Sequence, residues 1–287
     1  MCAHGGGLRD HKSRKPACPH ASCRLSLDFG DGLTLLGSFD LWACLESLEI
    51  GPLSHVMFLT LPPSLVQLSL PLELVPGAMA EWDEVLNSAP ALQVLYVFCR
   101  WKADAFDALM DFMAFQDPED IFALDLSELR NLTPGLQQLT VDCSLISQQG
   151  GMELGLRRAE RLPPGLRSLT ATHMGHSSQL FLLGLRSLEH LTRLCLPSCR
   201  LVDAPGVLQG LTRLQELQLG GCGQGGVGAS LAALRALPSL QRLSLEGCSL
   251  RQLGDGEPGE GWPALEVRWQ AVVLAGVGLA AAVSGAW

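Results

Sequence analysis

Tyrosine is nearly absent from this sequence. Tyr96 is the single copy among 287 residues, and all aromatics together make up 6%. Such a composition excludes a core organised around large rings and leaves aliphatic side chains to do the packing. Charge is sparse too: 17% of residues are charged, and 20 basic side chains face 29 acidic ones, for a net charge of −9. A nucleic-acid binder ordinarily needs a basic face, so this balance argues against nucleic acid as a partner. The first 24 residues hold no apolar run, so no secretory leader is expected. The expectation is therefore a reducing intracellular compartment, the cytoplasm, with the ten cysteines as thiols. No C-x-x-C, P-loop, G-x-S-x-G, H-E-x-x-H or calcium loop occurs. The seven histidines are scattered, with His173 and His176 in "THMGH" read as turn residues. No residue set supports an enzyme, and no cofactor or metal is expected.

Leucine is abundant instead, with 58 copies. It recurs in the unit L-x-x-L-x-L: "LESLEI" (45–50), "LVQLSL" (65–70), "LQVLYV" (92–97), "LQQLTV" (136–141), "LRSLTA" (166–171), "LTRLCL" (191–196), "LQELQL" (214–219) and "LQRLSL" (240–245). Degenerate copies stand at 22–27 and 262–267, making ten candidates. The inner L-x-L alternation predicts a short strand with leucine on one face and polar residues on the other. Between units, 80–90, 177–191 and 229–240 carry helical spacing. Proline breaks such as "LPPSL" (61–65), "LTPGL" (132–136) and "LPPGL" (162–166) precede strands. One repeat cannot bury its leucines alone. Stacking does so, which predicts an α/β solenoid with a parallel sheet along one side and helices along the other.

This pattern resembles the leucine-rich-repeat family over roughly residues 22–270, in about ten irregular repeats. Residues 1–21 read as a flexible arm, and 271–287 as an apolar tail or last helix. The last three full copies resemble the cysteine-containing variety, with Cys199, Cys222 and Cys248 at the ninth position. The resemblance implies that these thiols form a buried structural ladder rather than a metal site, since zinc wants four converging ligands. Cys99 and Cys143 fall one residue earlier, which leaves their register open. The family commonly binds proteins on the concave face of a curved sheet, through the non-leucine strand positions. Carried over, one column runs Ser47, Gln67, Val94, Gln138, Ser168, Arg193, Glu216, Arg242. The next runs Glu49, Ser69, Tyr96, Thr140, Thr170, Cys195, Gln218, Ser244. A third includes Phe98, Asp142, Thr172 and Glu246. The candidate partner-binding residues are Tyr96, Phe98, Gln138, Thr140, Arg193, Glu216, Gln218, Arg242 and Glu246. Tyr96 and Phe98 are the aromatic anchors among them. The alternative is that Phe98 or Trp101 packs beneath the enlarged helical segment at 103–130.

Rival readings attach to a few stretches. Cys18, His20 and Cys23 in "CPHASC", with Cys2 and His4 upstream, offer zinc donors; a basic arm is the preferred reading. "GCGQGG" (221–226), with Glu246 twenty residues beyond, formally matches a dinucleotide-binding fingerprint. It is rejected because the preceding strand alternates with Gln215, Glu216 and Gln218, whereas doubly wound strands are apolar on both faces. The 44-residue gap between the units at 92 and 136 is read as one repeat with an enlarged helical side over 101–129, in which Asp117-Pro118-Glu119 marks a helix start. A hidden copy at "IFALDL" (121–126) is the alternative. Residues 269–287 carry no charge; contact with a membrane there is the lesser reading, beside a last repeat helix or tail. The functional expectation is a non-catalytic scaffold for a protein partner. Its alternatives are a substrate-recognition module related to F-box ubiquitin-ligase receptors, with no F-box present, and a structural component of a large assembly such as a ciliary axoneme.

Overall fold

The computed structural model describes residues 23–27, 34–38, 44–51, 55–74, 86, 89–101, 123–125, 129–145, 155–157, 161–172, 184–197, 208, 210–220, 237–246 and 266–268. Their organising element is a ten-stranded sheet, and every adjacent pair in it is parallel. Its strands, in spatial order, are β1 (Cys23–Leu27), β3 (Leu45–Ile50), β5 (Gln67–Leu74), β6 (Val94–Trp101), β8 (Gln138–Asp142), β10 (Ser168–Thr172), β11 (Arg193–Pro197), β12 (Glu216–Gly220), β13 (Arg242–Glu246) and β14 (Glu266–Arg268). Each coincides with one of the ten leucine units. Each repeat thus lays its strand beside that of the previous one, which makes the chain a parallel-sheet solenoid.

The local chemistry is the same in repeat after repeat. The leucine that opens the unit closes a turn by donating its N–H to the carbonyl three residues back. Leu65 donates to Pro62, Leu136 to Thr133, Leu166 to Pro163, Leu191 to Leu188 and Leu214 to Leu211, at 3.0–3.1 Å. In three of these turns proline (Pro63, Pro134 and Pro164) holds the second position, where its fixed φ suits the bend. The next residue then donates to its counterpart in the preceding repeat. The resulting ladder runs Gln241, Gln215, Thr192, Arg167, Gln137, Gln93, Val66, Glu46, with N···O distances of 2.7–2.9 Å. These bonds satisfy backbone groups that stacking would otherwise bury unpaired.

Three apolar positions per repeat point into the core. Leu92, Leu95 and Val97 form one set; Leu136, Leu139 and Val141, Leu166, Leu169 and Ala171, Leu191, Leu194 and Leu196, and Leu214, Leu217 and Leu219 form the next four, all at most 1% exposed. Burying one leucine side chain contributes roughly 1.5–3 kcal/mol, so the repeated triad dominates stability. At the start of the sheet the core thins, and Leu25 and Leu27 are only partly buried.

On the return side of the solenoid the described residues hold strands as well as short helical pieces. The strands form two small parallel sheets. One pairs β2 (Thr34–Ser38) with β4 (His55–Thr60); the other pairs β7 (Ala123–Asp125) with β9 (Gly155–Arg157). Among the described residues the longest helical element is the single turn α1 (Leu129–Leu132). Of the helical segments expected at 80–90, 177–191 and 229–240, residue 86 and residues 184–185 are helical, while 186–187 and 189–190 are turns. Most of what remains of the three segments, and the helix start at 117–119, lie outside the described residues. "IFALDL" supplies strand β7 rather than helix, but β7 is no repeat of the main sheet, because β6 pairs directly with β8. Its three-residue alternation is enough to pair with the return segment of the following repeat.

Candidate functional site

Strand register brings the non-leucine positions into the expected columns on the face opposite the core. Cα partners run Ser47, Gln67, Val94, Gln138, Ser168, Arg193, Glu216 and Arg242, and extend to Glu266. The second column runs Glu49, Ser69, Tyr96, Thr140, Thr170, Cys195, Gln218 and Ser244, and extends to Arg268. In the third, Phe98 faces Asp142 and Asp142 faces Thr172, while Glu246 stands opposite Gly220. Gln138, Arg193 and Arg242 are exposed; Thr140, Glu216 and Gln218 are half-buried.

Strand β6 breaks this polar face with an apolar stripe. Val94, Tyr96 and Phe98 occupy alternate positions on it, and all three are half-buried. The rings of Tyr96 and Phe98 lie 4.5 Å apart between centroids, tilted by 46°. On β8 the stripe faces Gln138, Thr140 and Asp142; on β5 it faces Gln67, Ser69 and, opposite Phe98, the buried Pro71. Phe98 is therefore part of the open face and is not sealed in the core, although Arg100, two residues on, is 7% exposed.

Asp142 anchors the cluster. Its Oδ1 accepts from the Ser144 N–H at 2.9 Å and the Thr172 hydroxyl at 2.8 Å, and its Oδ2 accepts from the Tyr96 hydroxyl at 3.2 Å. The Tyr96 bond is diagonal: its register partner is Thr140, and the ring reaches one pair further along β8. Burial alone would push the Asp142 carboxyl up. Hydrogen bonds from Ser144, Thr172 and Tyr96 outweigh burial and hold it below the ordinary carboxylate value. Burial, followed by the Asp142 charge and the bond to it, pushes the Tyr96 phenol up to about 12.

A second cluster spans β11, β12 and β13. Glu216 sits between two arginines, with Oε1 3.5 Å from Arg193 Nε and Oε2 3.0 Å from Arg242 Nη2. The arginine side chains are 51% and 61% exposed, so these pairs are screened and are worth little individually. Beside them the Cys195 thiol donates to Gln218 Oε1 at 3.1 Å. Burial first, and the nearby Glu216 charge second among the raising influences, pushes that thiol up despite Arg193.

Cys199, Cys222 and Cys248, the expected ladder, lie outside the described residues, as do Cys18, His20, His173, His176, 221–226 and 269–287. Cys99 and Cys143, whose register the sequence left open, are fully buried and face each other across β6 and β8 at the eighth repeat position. Hydrogen bonding with Cys143 first, and burial second, raises the Cys99 thiol well above its ordinary value. Among the described residues no cluster of three or more His, Cys, Asp or Glu could hold a metal, and no helix is long and apolar enough to cross a membrane. The strands follow chain order from β10 to β14, with none of the reversal that creates the binding crevice of a doubly wound sheet. The sequence columns contained Asp142 and Thr172 but did not single them out. Their signal was the alignment of Phe98, Asp142 and Thr172 in adjacent repeats.

No protein-family model matches the chain, and no curated protein sequence matches it. Among solved structures it resembles an internalin from Listeria monocytogenes, with 17% identity over 80% of this chain and 75% of that one, at a TM-score of 0.28. The solenoid assignment rests on strand order and register.

Proposed function

We propose that this chain is a non-catalytic protein-interaction scaffold that captures a protein partner across the open face of its parallel sheet. The observation that carries this reading is the β6 stripe: Val94, Tyr96 and Phe98 stand half-exposed in a face whose other positions are mostly polar. A rigid aromatic pair on a polar surface is what a binding hot spot requires, since the rings desolvate on contact and the polar surround fixes orientation. Gln138 and Thr140 adjoin the stripe. Arg193, Glu216, Gln218, Arg242 and Glu246 extend the face along later repeats, where alternating charge sets the partner's register. Binding is by shape and polar complementarity, with no bond made or broken. We place this activity in the cytoplasm.

The test has two stages. Proximity labelling in the native cell names the partner, and calorimetry with the purified partner measures affinity. Replacing Tyr96 and Phe98 together by serine weakens binding at least about ten-fold, given the usual cost of losing an anchor residue. The circular dichroism spectrum stays unchanged. Undiminished affinity with the fold intact would remove the stripe from the interface.

A further inference from the structure

A pair of thiols stands at the start of the sheet, away from the binding stripe. Cys23 opens β1, and Cys44 immediately precedes β3. Their sulfur atoms are 3.3 Å apart, Cys44 is exposed and Cys23 is half-buried. The register of β1 on β3 slips between Cys23 and Arg24, so Cys23 falls opposite Leu45 and beside Cys44. Regular pairing from Arg24 onward would not have fixed that juxtaposition. The fully buried Cys99 and Cys143 offer the contrast, because no dissolved reagent can reach them without unfolding.

We propose that Cys23 and Cys44 form an oxidisable dithiol whose co-reactant is a small-molecule disulfide such as oxidised glutathione. The exposed Cys44, as thiolate, attacks one sulfur of the reagent and expels one glutathione thiolate, leaving a mixed disulfide on Cys44. Cys23, losing its proton, then attacks Cys44 Sγ and expels the second. The protein gives up two electrons and two protons, and one oxidised glutathione becomes two reduced molecules. Adjacent strands already hold the sulfurs close, so the second step needs only a small approach. The product links the first strand of the sheet to the next. Among the described residues strand β1 has a neighbour on one side only, and its leucines are partly exposed. Its Arg24 and Ser26 continue the two open-face columns, opposite Ser47 and Glu49. Oxidation therefore locks one further repeat into the open face.

The experiment treats the full chain with oxidised glutathione, quenches with acid, digests it and maps linked peptides by mass spectrometry. The expected product joins Cys23 to Cys44, and amide exchange across β1 slows by on the order of ten-fold. In denaturant this preference disappears, since an unfolded chain closes the shorter loop between Cys18 and Cys23 more readily. The Cys23→Ser variant instead accumulates a stable glutathione adduct on Cys44. The proposal is overturned if the native chain keeps both thiols alkylatable while its other accessible cysteines react. Joining Cys23 to Cys18 in preference to Cys44 would overturn it equally.

Discussion

Because Tyr96 is the single tyrosine, its ionisation can be read alone, through tyrosinate absorbance, in the intact protein. The phenol is pushed to about 12 by burial, by the Asp142 charge and by the hydrogen bond to that carboxylate. A free phenol ionises near 10, so at pH 11 about nine tenths of an unconstrained tyrosine would be ionised, against about one tenth here. The sign for stability follows. The folded value lies above the unfolded one, so the contribution is complete below pH 10 and is lost as pH rises towards about 12. Asp142→Asn removes the charge and replaces a carboxylate acceptor by an amide. Burial is the largest of the three causes and remains, so the variant's phenol should ionise between 10 and about 12. Rapid pH jumps followed by absorbance record the native value before alkaline unfolding, and a guanidinium-unfolded sample supplies the reference. Native Tyr96 ionising at its reference value, or a titration indifferent to Asp142→Asn, would refute the diagonal contact across β6 and β8.

Other consequences follow from the same geometry. Leu217→Ala, at a position fully removed from solvent, should cost about 2–5 kcal/mol, and amide exchange should accelerate first in β11, β12 and β13. Glu216→Gln should cost at most about 1 kcal/mol, because Arg193 and Arg242 are exposed; double-mutant cycles at low and high salt should show the coupling fading as salt is added. Thr133→Val, which removes the buried hydroxyl donating to Leu129 O at 2.9 Å, should lower stability by about 1 kcal/mol in urea titrations while leaving partner affinity unchanged.

The sheet was legible in the sequence because one packing position repeats. A leucine unit alternates with period two and breaks at a proline or leucine turn, so both the strands and their register follow from counting. The columns of the open face came with that register, down to Arg193 beside Glu216 and Glu216 beside Arg242. What counting could not supply was diagonal reach. Tyr96 aligns with Thr140 yet bonds Asp142, so the centre of the cluster was not apparent from columns alone. The return side was harder to read. "HVMFLT" and "TLLGS" carry apolar runs without a clean period, and their pairing as β4 and β2 was not anticipated. "IFALDL" looked like either a repeat or part of a helix and is neither, since β7 takes β9 as its partner. The proximity of Cys23 and Cys44 depends on a register slip, which no spacing rule predicts.

The central claim is that the face opposite the leucine core meets the partner. Hydroxyl-radical footprinting of the chain with and without its purified partner tests this most directly, since both anchor rings are half-exposed. Protection on binding should concentrate at Tyr96 and Phe98. Unchanged labelling at both rings, with protection confined to the segments carrying β2, β4, β7 and β9, would place the partner on the return side and contradict the account.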